Sequence, residues 1–225
     1  MSISVCIGTQ DLLSLTVENA LADLAAFMRA QEAALGGGKR TWLMVGGSYP
    51  GALSSWFRLK YPDLATASWS SSGVILAVEK FTRFDEIVAE VVGPNCADAL
   101  RQVTAAWETE WDMGGGRKAD LLSLFNTPDT FTKADMAWML ADAAAMGAQY
   151  GGKKTMCDHI VPVRGNPGAL LAQFATWIME RYGDSFGSGC YYSTACLSDP
   201  AQLDQWYDAK PWVWQARSVN HPSFL

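Results

Sequence analysis

The chain has 225 residues, of which 49% are hydrophobic and 18% are charged, a composition typical of a soluble globular protein. This length allows one large domain or two small ones. The formal net charge of −6 argues against a nucleic-acid partner, because phosphate binding requires clustered lysine and arginine. No apolar run approaches the roughly 20 residues that span a bilayer, so we expect no membrane partner.

The first nine residues lack a secretory signal pattern. They have no basic n-region, and polar Gln10 and Asp11 follow too early for an apolar h-region. If Met1 is the true start, the chain is therefore expected in the cytosol.

The five cysteines leave the redox compartment open. Cys190 and Cys196 are close enough in sequence to bridge within a loop, and Cys96 and Cys157 could form a second pair, with Cys6 left over. Four cysteines allow three pairings. Reduced, buried thiols are the alternative interpretation.

The first third of the chain alternates helical and strand patterns. Thr16 precedes an amphipathic run with apolar residues at positions 17, 21, 24, 27 and 28, which ends at three glycines, 36–38. Residues 41–45 form a short β-favouring apolar run that predicts a buried strand. A turn at 46–49, a helix over 50–60 and a second strand within 64–70 follow. This order predicts an α/β fold with a parallel, doubly wound sheet.

The pattern changes near residue 84. From there the apolar spacing predicts only helices, and three glycine-rich segments mark loops or helix ends between them. The boundary between the two parts is predicted between residues 73 and 84. The predicted helices cover residues 87–92, 97–111, 119–125, 134–148 and 170–182.

The strongest chemical motif is Gly46-Gly47-Ser48-Tyr49-Pro50, placed where a predicted strand gives way to a predicted helix. This context is typical of a nucleophile elbow, in which a strained turn lifts a serine hydroxyl above the sheet edge. Gly46, Gly47 and Gly51 would be the elbow glycines, and the backbone N–H of Tyr49 would be one oxyanion donor. The alternative is an unreactive serine in a glycine-rich turn.

Two other patterns do not predict sites. Gly38-Lys39-Arg40 is similar to a phosphate-binding loop, but Arg40 replaces the required Ser or Thr, and the glycines precede a strand instead of following one. Cys157 and His159 could suggest a metal, yet the chain has two histidines and no Cys-x-x-Cys, so no metal site is predicted.

The motif and its surroundings resemble one family of serine peptidases, which includes lysosomal Pro-X carboxypeptidase, dipeptidyl peptidase II and thymus-specific serine protease. The resemblance is carried by GGSYPGAL at 46–53 and WFRLKYP at 56–62, and the Ser-Tyr-Pro-Gly form is nearest the thymus-specific branch. It covers roughly residues 11–215. Further matching segments are ENALADLA at 18–25, SSGV at 71–74, FTRFDE at 81–86 and PWVWQ at 211–215.

The resemblance implies a partial α/β-hydrolase core over residues 1–80, a helical cap domain over 81–215 and a divergent tail over 216–225. It also implies exopeptidase cleavage of a peptide substrate, beside proline or after a terminal dipeptide, through an acyl-enzyme on Ser48. A histidine would take the serine proton and an aspartate would orient it, with no cofactor. The family is secretory or lysosomal.

The chain departs from the family pattern at its end, where the catalytic Asp and His have no match and so remain unassigned. His221 with Asp204 or Asp208 has the right chain order, and His159 falls within the predicted cap. We therefore expect a truncated member. The alternatives are a non-catalytic binding or regulatory module and an unrelated α/β-hydrolase esterase.

Overall fold

The computed structural model describes residues 12–76, 78, 80–199 and 211–212. It is mostly helical, with a small two-stranded parallel sheet, which is consistent with a partial α/β fold. Contacts divide the chain into two compact units between residues 79 and 80, and Pro211 and Trp212 are grouped with the first unit.

The first unit contains helix α1 (Val17–Ala34), strand β1 (Leu43–Gly47), helix α2 (Ser48–Lys60) and strand β2 (Ala67–Ser71). The strands pair in parallel, from Leu43 opposite Ala67 to Gly47 opposite Ser71. Helix α2 is the crossover between them and packs on both. The predicted order of helix, strand, turn, helix and strand is confirmed.

Helix α1 begins as its sequence predicts. The Thr16 side chain accepts a hydrogen bond from the Asn19 backbone N–H at 3.2 Å, so it caps the helix. Its buried row consists of Val17, Leu21, Ala25 and Met28, spaced three or four residues apart. Phe27, which the pattern placed on the apolar face, is instead 56% exposed because it lies outside this row.

The sheet has one covered face and one open face. Successive strand residues point to opposite sides, and α2 packs on one side only, where Met44 is half-buried. Leu43 and Val45 are exposed, and so is Trp69 opposite Val45. The prediction of a buried first strand is therefore wrong for Leu43 and Val45, since nothing in the described part of the chain covers that face.

The second unit is helical, and its described residues contain no strand. Each helix predicted in this part is present. The helix α7 and the short helix α9 were not predicted. The helices are α3 (Thr82–Val92), α4 (Pro94–Met113), α5 (Gly115–Leu124), α6 (Lys133–Gln149), α7 (Lys153–Ile160), α8 (Pro167–Tyr182) and α9 (Thr194–Ser198), with 3₁₀ turns at Val161–Val163 and Cys190–Tyr192.

The core of this unit is centred on α8. Trp177 and Phe174 are almost completely buried, and their rings stack at 5.6 Å. Phe125 meets Phe174 edge-on, an arrangement that aromatic pairs prefer. Large methionines from neighbouring helices, Met136 and Met156, fill the remaining space.

Two disulfides lie within the second unit. Cys96–Cys157 joins α4 to α7. Cys190–Cys196 joins the second 3₁₀ turn to α9. Both pairs anticipated from the sequence are present, and the alternative of reduced thiols at these four positions is not what the structure shows. Cys6 lies outside the described residues.

Asp135 ties two parts of the second unit together. Its carboxylate accepts the Thr132 N–H at 2.8 Å, completing a capping box at the start of α6. The other oxygen accepts the N–H and hydroxyl of Thr194 at the start of α9. Burial alone would raise the pKa of Asp135, but the hydrogen bonds donated by Thr194 and Thr132 outweigh it and lower that pKa.

None of the helices in the described part of the chain is both long enough and apolar enough to cross a membrane.

Candidate active site

Ser48 lies at the junction predicted from the sequence. It follows Gly47, the last residue of β1, and is the first residue of α2. Its φ is 58°, in the left-handed region that residues with a side chain rarely adopt. Such strain persists only where the surrounding structure enforces it, and it concentrates at functional positions. The side chain is exposed.

Close backbone packing enforces the turn around Ser48. A Cβ on Gly46 would lie 2.0 Å from the Pro50 carbonyl oxygen, so no larger residue fits there. A Cβ on Gly51 would lie 3.0 Å from both the Gly73 Cα and the Ser71 carbonyl oxygen. These two glycines let the end of β1, the first turn of α2 and the end of β2 approach one another.

Gly47 and Gly73 differ from the sequence-based expectation. Gly47 has room for a side chain, because the nearest atom to a Cβ there, the Ser71 carbonyl oxygen, is 3.8 Å away. Gly73 was not singled out, yet a Cβ there would lie 3.0 Å from the Gly51 carbonyl carbon. Its sequence signals are its place in the small-residue run that follows the second strand pattern and in the SSGV segment that resembles the family.

The first turn of α2 provides the electrostatic setting of Ser48. Its N–H groups, including that of Tyr49, lie at the positive end of the helix dipole, which favours developing negative charge. Pro50 has no N–H and occupies a helix position where that group has no intrahelical acceptor. The Tyr49 ring packs against the core of the first unit, and burial raises the pKa of its hydroxyl.

In the described part of the first unit, Ser48 has no histidine partner. The described residues of the first unit contain no histidine. His159 belongs to α7, where its Nδ1 lies 3.2 Å from Gln173 Oε1 and its Nε2 lies 3.2 Å from Glu180 Oε2. Both ring nitrogens thus face α8, and the residue ties the two helices together.

The sequence offered three further candidates for the base and its partner. His221, Asp204 and Asp208 lie outside the described residues. Cys157 is bonded to Cys96, so its sulfur is not available to ligate a metal beside His159.

Comparison with models of protein families identifies the family of this chain. Residues 7–216, which include the whole turn around Ser48, match the family model described as serine carboxypeptidase S28. The chain belongs to this family. The resemblance noted in the sequence is thereby confirmed.

Individual relatives give the extent of the similarity. A probable serine protease, EDA2, of Arabidopsis thaliana is 34% identical over 182 residues, which cover 77% of this chain and 37% of the relative. Bovine lysosomal Pro-X carboxypeptidase is 35% identical over 95 residues, covering 39% of this chain and 19% of the relative. Mouse thymus-specific serine protease is 38% identical over 76 residues, covering 33% and 15%. The chain therefore matches well under half the length of each.

Proposed function

We propose that this S28-family chain carries the nucleophile of a serine-type exopeptidase, and that the nucleophile is Ser48. The observation that carries the proposal is the left-handed backbone of Ser48 at a strand-to-helix turn, enforced by Gly46 and Gly51. A strained, exposed serine in this position is typical of a nucleophile elbow. Family membership supplies the reaction class.

In the proposed reaction, Ser48 Oγ attacks the carbonyl carbon of a peptide bond near the end of a substrate. The negative charge that develops on the carbonyl oxygen is stabilised by the Tyr49 N–H at the start of α2. A histidine takes the hydroxyl proton and gives it to the departing amine, and water then hydrolyses the acyl-enzyme. The position of this histidine and of its aspartate is not assigned. No cofactor takes part.

The chain is proposed to consist of a core domain at residues 1–80, a helical cap domain at 81–215 and a tail at 216–225. A cap that restricts access would limit the enzyme to chain ends, as a carboxypeptidase acting beside proline or as a dipeptidyl-peptidase. The names of the relatives, which include Pro-X carboxypeptidases, support this class of peptide substrate.

A secretory or lysosomal location fits the same proposal. Pro-X carboxypeptidases among the relatives are named as lysosomal. The two disulfides, Cys96–Cys157 and Cys190–Cys196, are of a kind that persists in oxidising compartments and is rare in the cytosol.

The proposal is tested by labelling the purified chain with a fluorophosphonate, which bonds covalently to an activated serine. We expect one label, at Ser48 by peptide mapping, that is lost in Ser48→Ala. Ser55→Ala, a serine on the same helix, is the matched control and should label normally. His159→Ala should also label normally, because both His159 nitrogens are engaged with α8.

A folded chain that takes no label would contradict the peptidase proposal for this chain and favour the alternative, a non-catalytic binding or regulatory module. Labelling that persists in Ser48→Ala would place the reactive serine elsewhere. If Ser48 is labelled, His221→Ala then asks whether the tail supplies the base.

A further inference from the structure

The second unit contains a groove that the proposed function does not use. It has a volume of about 370 Å³ and lies where helices α3, α4 and α6 meet. This volume is at the lower end of small-molecule sites, roughly 300–1,000 Å³. All of its lining belongs to one compact unit, so the groove is a property of that unit alone.

The floor of the groove is built from small apolar side chains. Ala89 comes from α3, Ala97 from α4 and Ala144 from α6, and Val88 and Leu100 add larger apolar surface. The short side chains leave the space between the helices unfilled. Such a floor favours apolar groups of a ligand, because burying them removes apolar surface from water.

The walls carry opposite charges. Asp85 and Glu86 line the α3 side, and Arg101 lines the α4 side. Glu86 is already paired with Arg83 at 3.0 Å, and Arg83 also binds Glu90. Within the part of the chain that the structure describes, neither Asp85 nor Arg101 has an ion-pair or hydrogen-bond partner. One carboxylate on α3 and one guanidinium on α4 are therefore unpaired among the described residues at the groove.

We propose that this groove binds a short zwitterionic peptide with apolar side chains, of dipeptide size. The side chains would lie on the alanine floor, the peptide's ammonium group beside Asp85 and its carboxylate beside Arg101. Arginine suits the second role because its planar fork matches a carboxylate. A ligand without apolar groups would bury little apolar surface on the alanine floor. A ligand that lacked either charge would leave Asp85 or Arg101 without an ion-pair partner. The inference goes beyond the chemistry of Ser48 and does not depend on it.

The test uses the full chain and three probes: leucyl-leucine, its N-acetyl form and its C-terminal amide. Binding is followed by titration of amide chemical shifts in ¹⁵N-labelled protein. We expect leucyl-leucine to bind with a Kd on the order of millimolar, because the ligand is small and the groove is open. Each blocked peptide should bind roughly three- to fivefold more weakly, as the loss of one solvent-exposed charge pair predicts.

Charge variants test whether the preference for leucyl-leucine over its blocked forms depends on Asp85 and Arg101. Arg101→Gln should bind leucyl-leucine and its amide equally, and Asp85→Asn should bind leucyl-leucine and its N-acetyl form equally. Lys153→Gln and Asp120→Asn remove charges of the same sign outside the groove and should leave the preferences unchanged. All four side chains lie at exposed positions, so the variants should fold.

A filling variant tests the floor. Ala141→Leu places a larger side chain in the groove and should abolish binding, whereas Ala105→Leu, at an exposed position of α4 outside the lining, should not. The proposal is overturned if the folded chain shows no shifts at about ten times the expected Kd, if all three peptides bind alike, or if Arg101→Gln keeps the wild-type preference. None of these outcomes bears on Ser48, because phosphonate labelling reports that serine alone.

Discussion

The carbonyl oxygen of Pro50 restricts position 46 to glycine. The Pro50 oxygen occupies the space where a Cβ on Gly46 would lie, at 2.0 Å. At position 47 a Cβ would meet its nearest atom, the Ser71 oxygen, only at 3.8 Å. Two adjacent glycines therefore differ sharply in what they tolerate.

We predict that Gly46→Ala destabilises the chain by about 3 kcal/mol or more, because the backbone of the turn must move to admit a methyl group. Gly47→Ala is the matched variant and should change the free energy of unfolding by less than about 1 kcal/mol. Urea unfolding of both variants measures the difference. Equal losses in the two would show that the close approach of Gly46 to Pro50 is absent.

Within the active site, the sequence could predict the nucleophile but not the base. Ser48 could be proposed because the elbow is a local pattern, in which strand, turn and helix follow each other within about twenty residues. The sequence left the base unassigned between His221 and His159, because a triad is assembled from residues distant in sequence and their proximity depends on tertiary packing. His159 shows the difficulty, since only the structure reveals that α8 engages both its nitrogens.

At the scale of elements, Asp135 joins the start of α6 to the start of α9. Its lowered pKa means that the folded chain favours the carboxylate form more than the unfolded chain does. The stabilisation is therefore fully present above the unfolded pKa, about 3.9, and is lost as the pH falls through the lower folded pKa.

We predict that Asp135→Ala lowers the free energy of unfolding by about 2 kcal/mol at neutral pH, because it removes the capping box of α6 and the part-buried hydrogen bonds from Thr194. The difference from wild type should shrink as the pH falls below about 4. Asp120→Ala, on the exposed side of α5, is the control and should have little effect at any pH. Urea unfolding at a series of pH values checks this, and a pH-independent difference would contradict the role of the charge.

The elements themselves were predictable where the apolar pattern is long. Helix α1 has a cap and a buried row that covers about three turns. The cap and three members of the row, Val17, Leu21 and Met28, were visible in the sequence. Helix α7 has eight residues and only two buried ones, Met156 and Ile160, so its pattern is too short to distinguish it from a loop. The exposure of β1 was missed because the sequence shows that Leu43 and Val45 are apolar, but not whether another layer covers them.

At the scale of the whole molecule, the two disulfides constrain very different lengths of chain. Cys96 and Cys157 are 61 residues apart and connect α4 with α7, whereas Cys190 and Cys196 are six residues apart. A longer closed loop removes more conformational freedom from the unfolded chain, so the first bridge should contribute more stability.

We predict that the double variant Cys96→Ser/Cys157→Ser loses about 4 kcal/mol and that Cys190→Ser/Cys196→Ser loses about 2 kcal/mol, as the chain-entropy relation gives for these loops. Each double variant serves as the control for the other, because both remove one bridge and two sulfurs. Denaturant unfolding under non-reducing conditions measures the losses. If Cys190→Ser/Cys196→Ser lost more stability than Cys96→Ser/Cys157→Ser, the bridges would not act mainly by restricting the unfolded chain.

The contact between Gly46 and the Pro50 oxygen has a consequence for how function is inferred across lineages. Selection on the backbone of this turn alone is enough to retain glycine at positions 46 and 51, whatever happens to the hydroxyl between them. A pseudoenzyme descended from such a chain would keep the glycines after losing Ser48. In genome surveys, then, the glycines record ancestry and only the serine bears on catalysis.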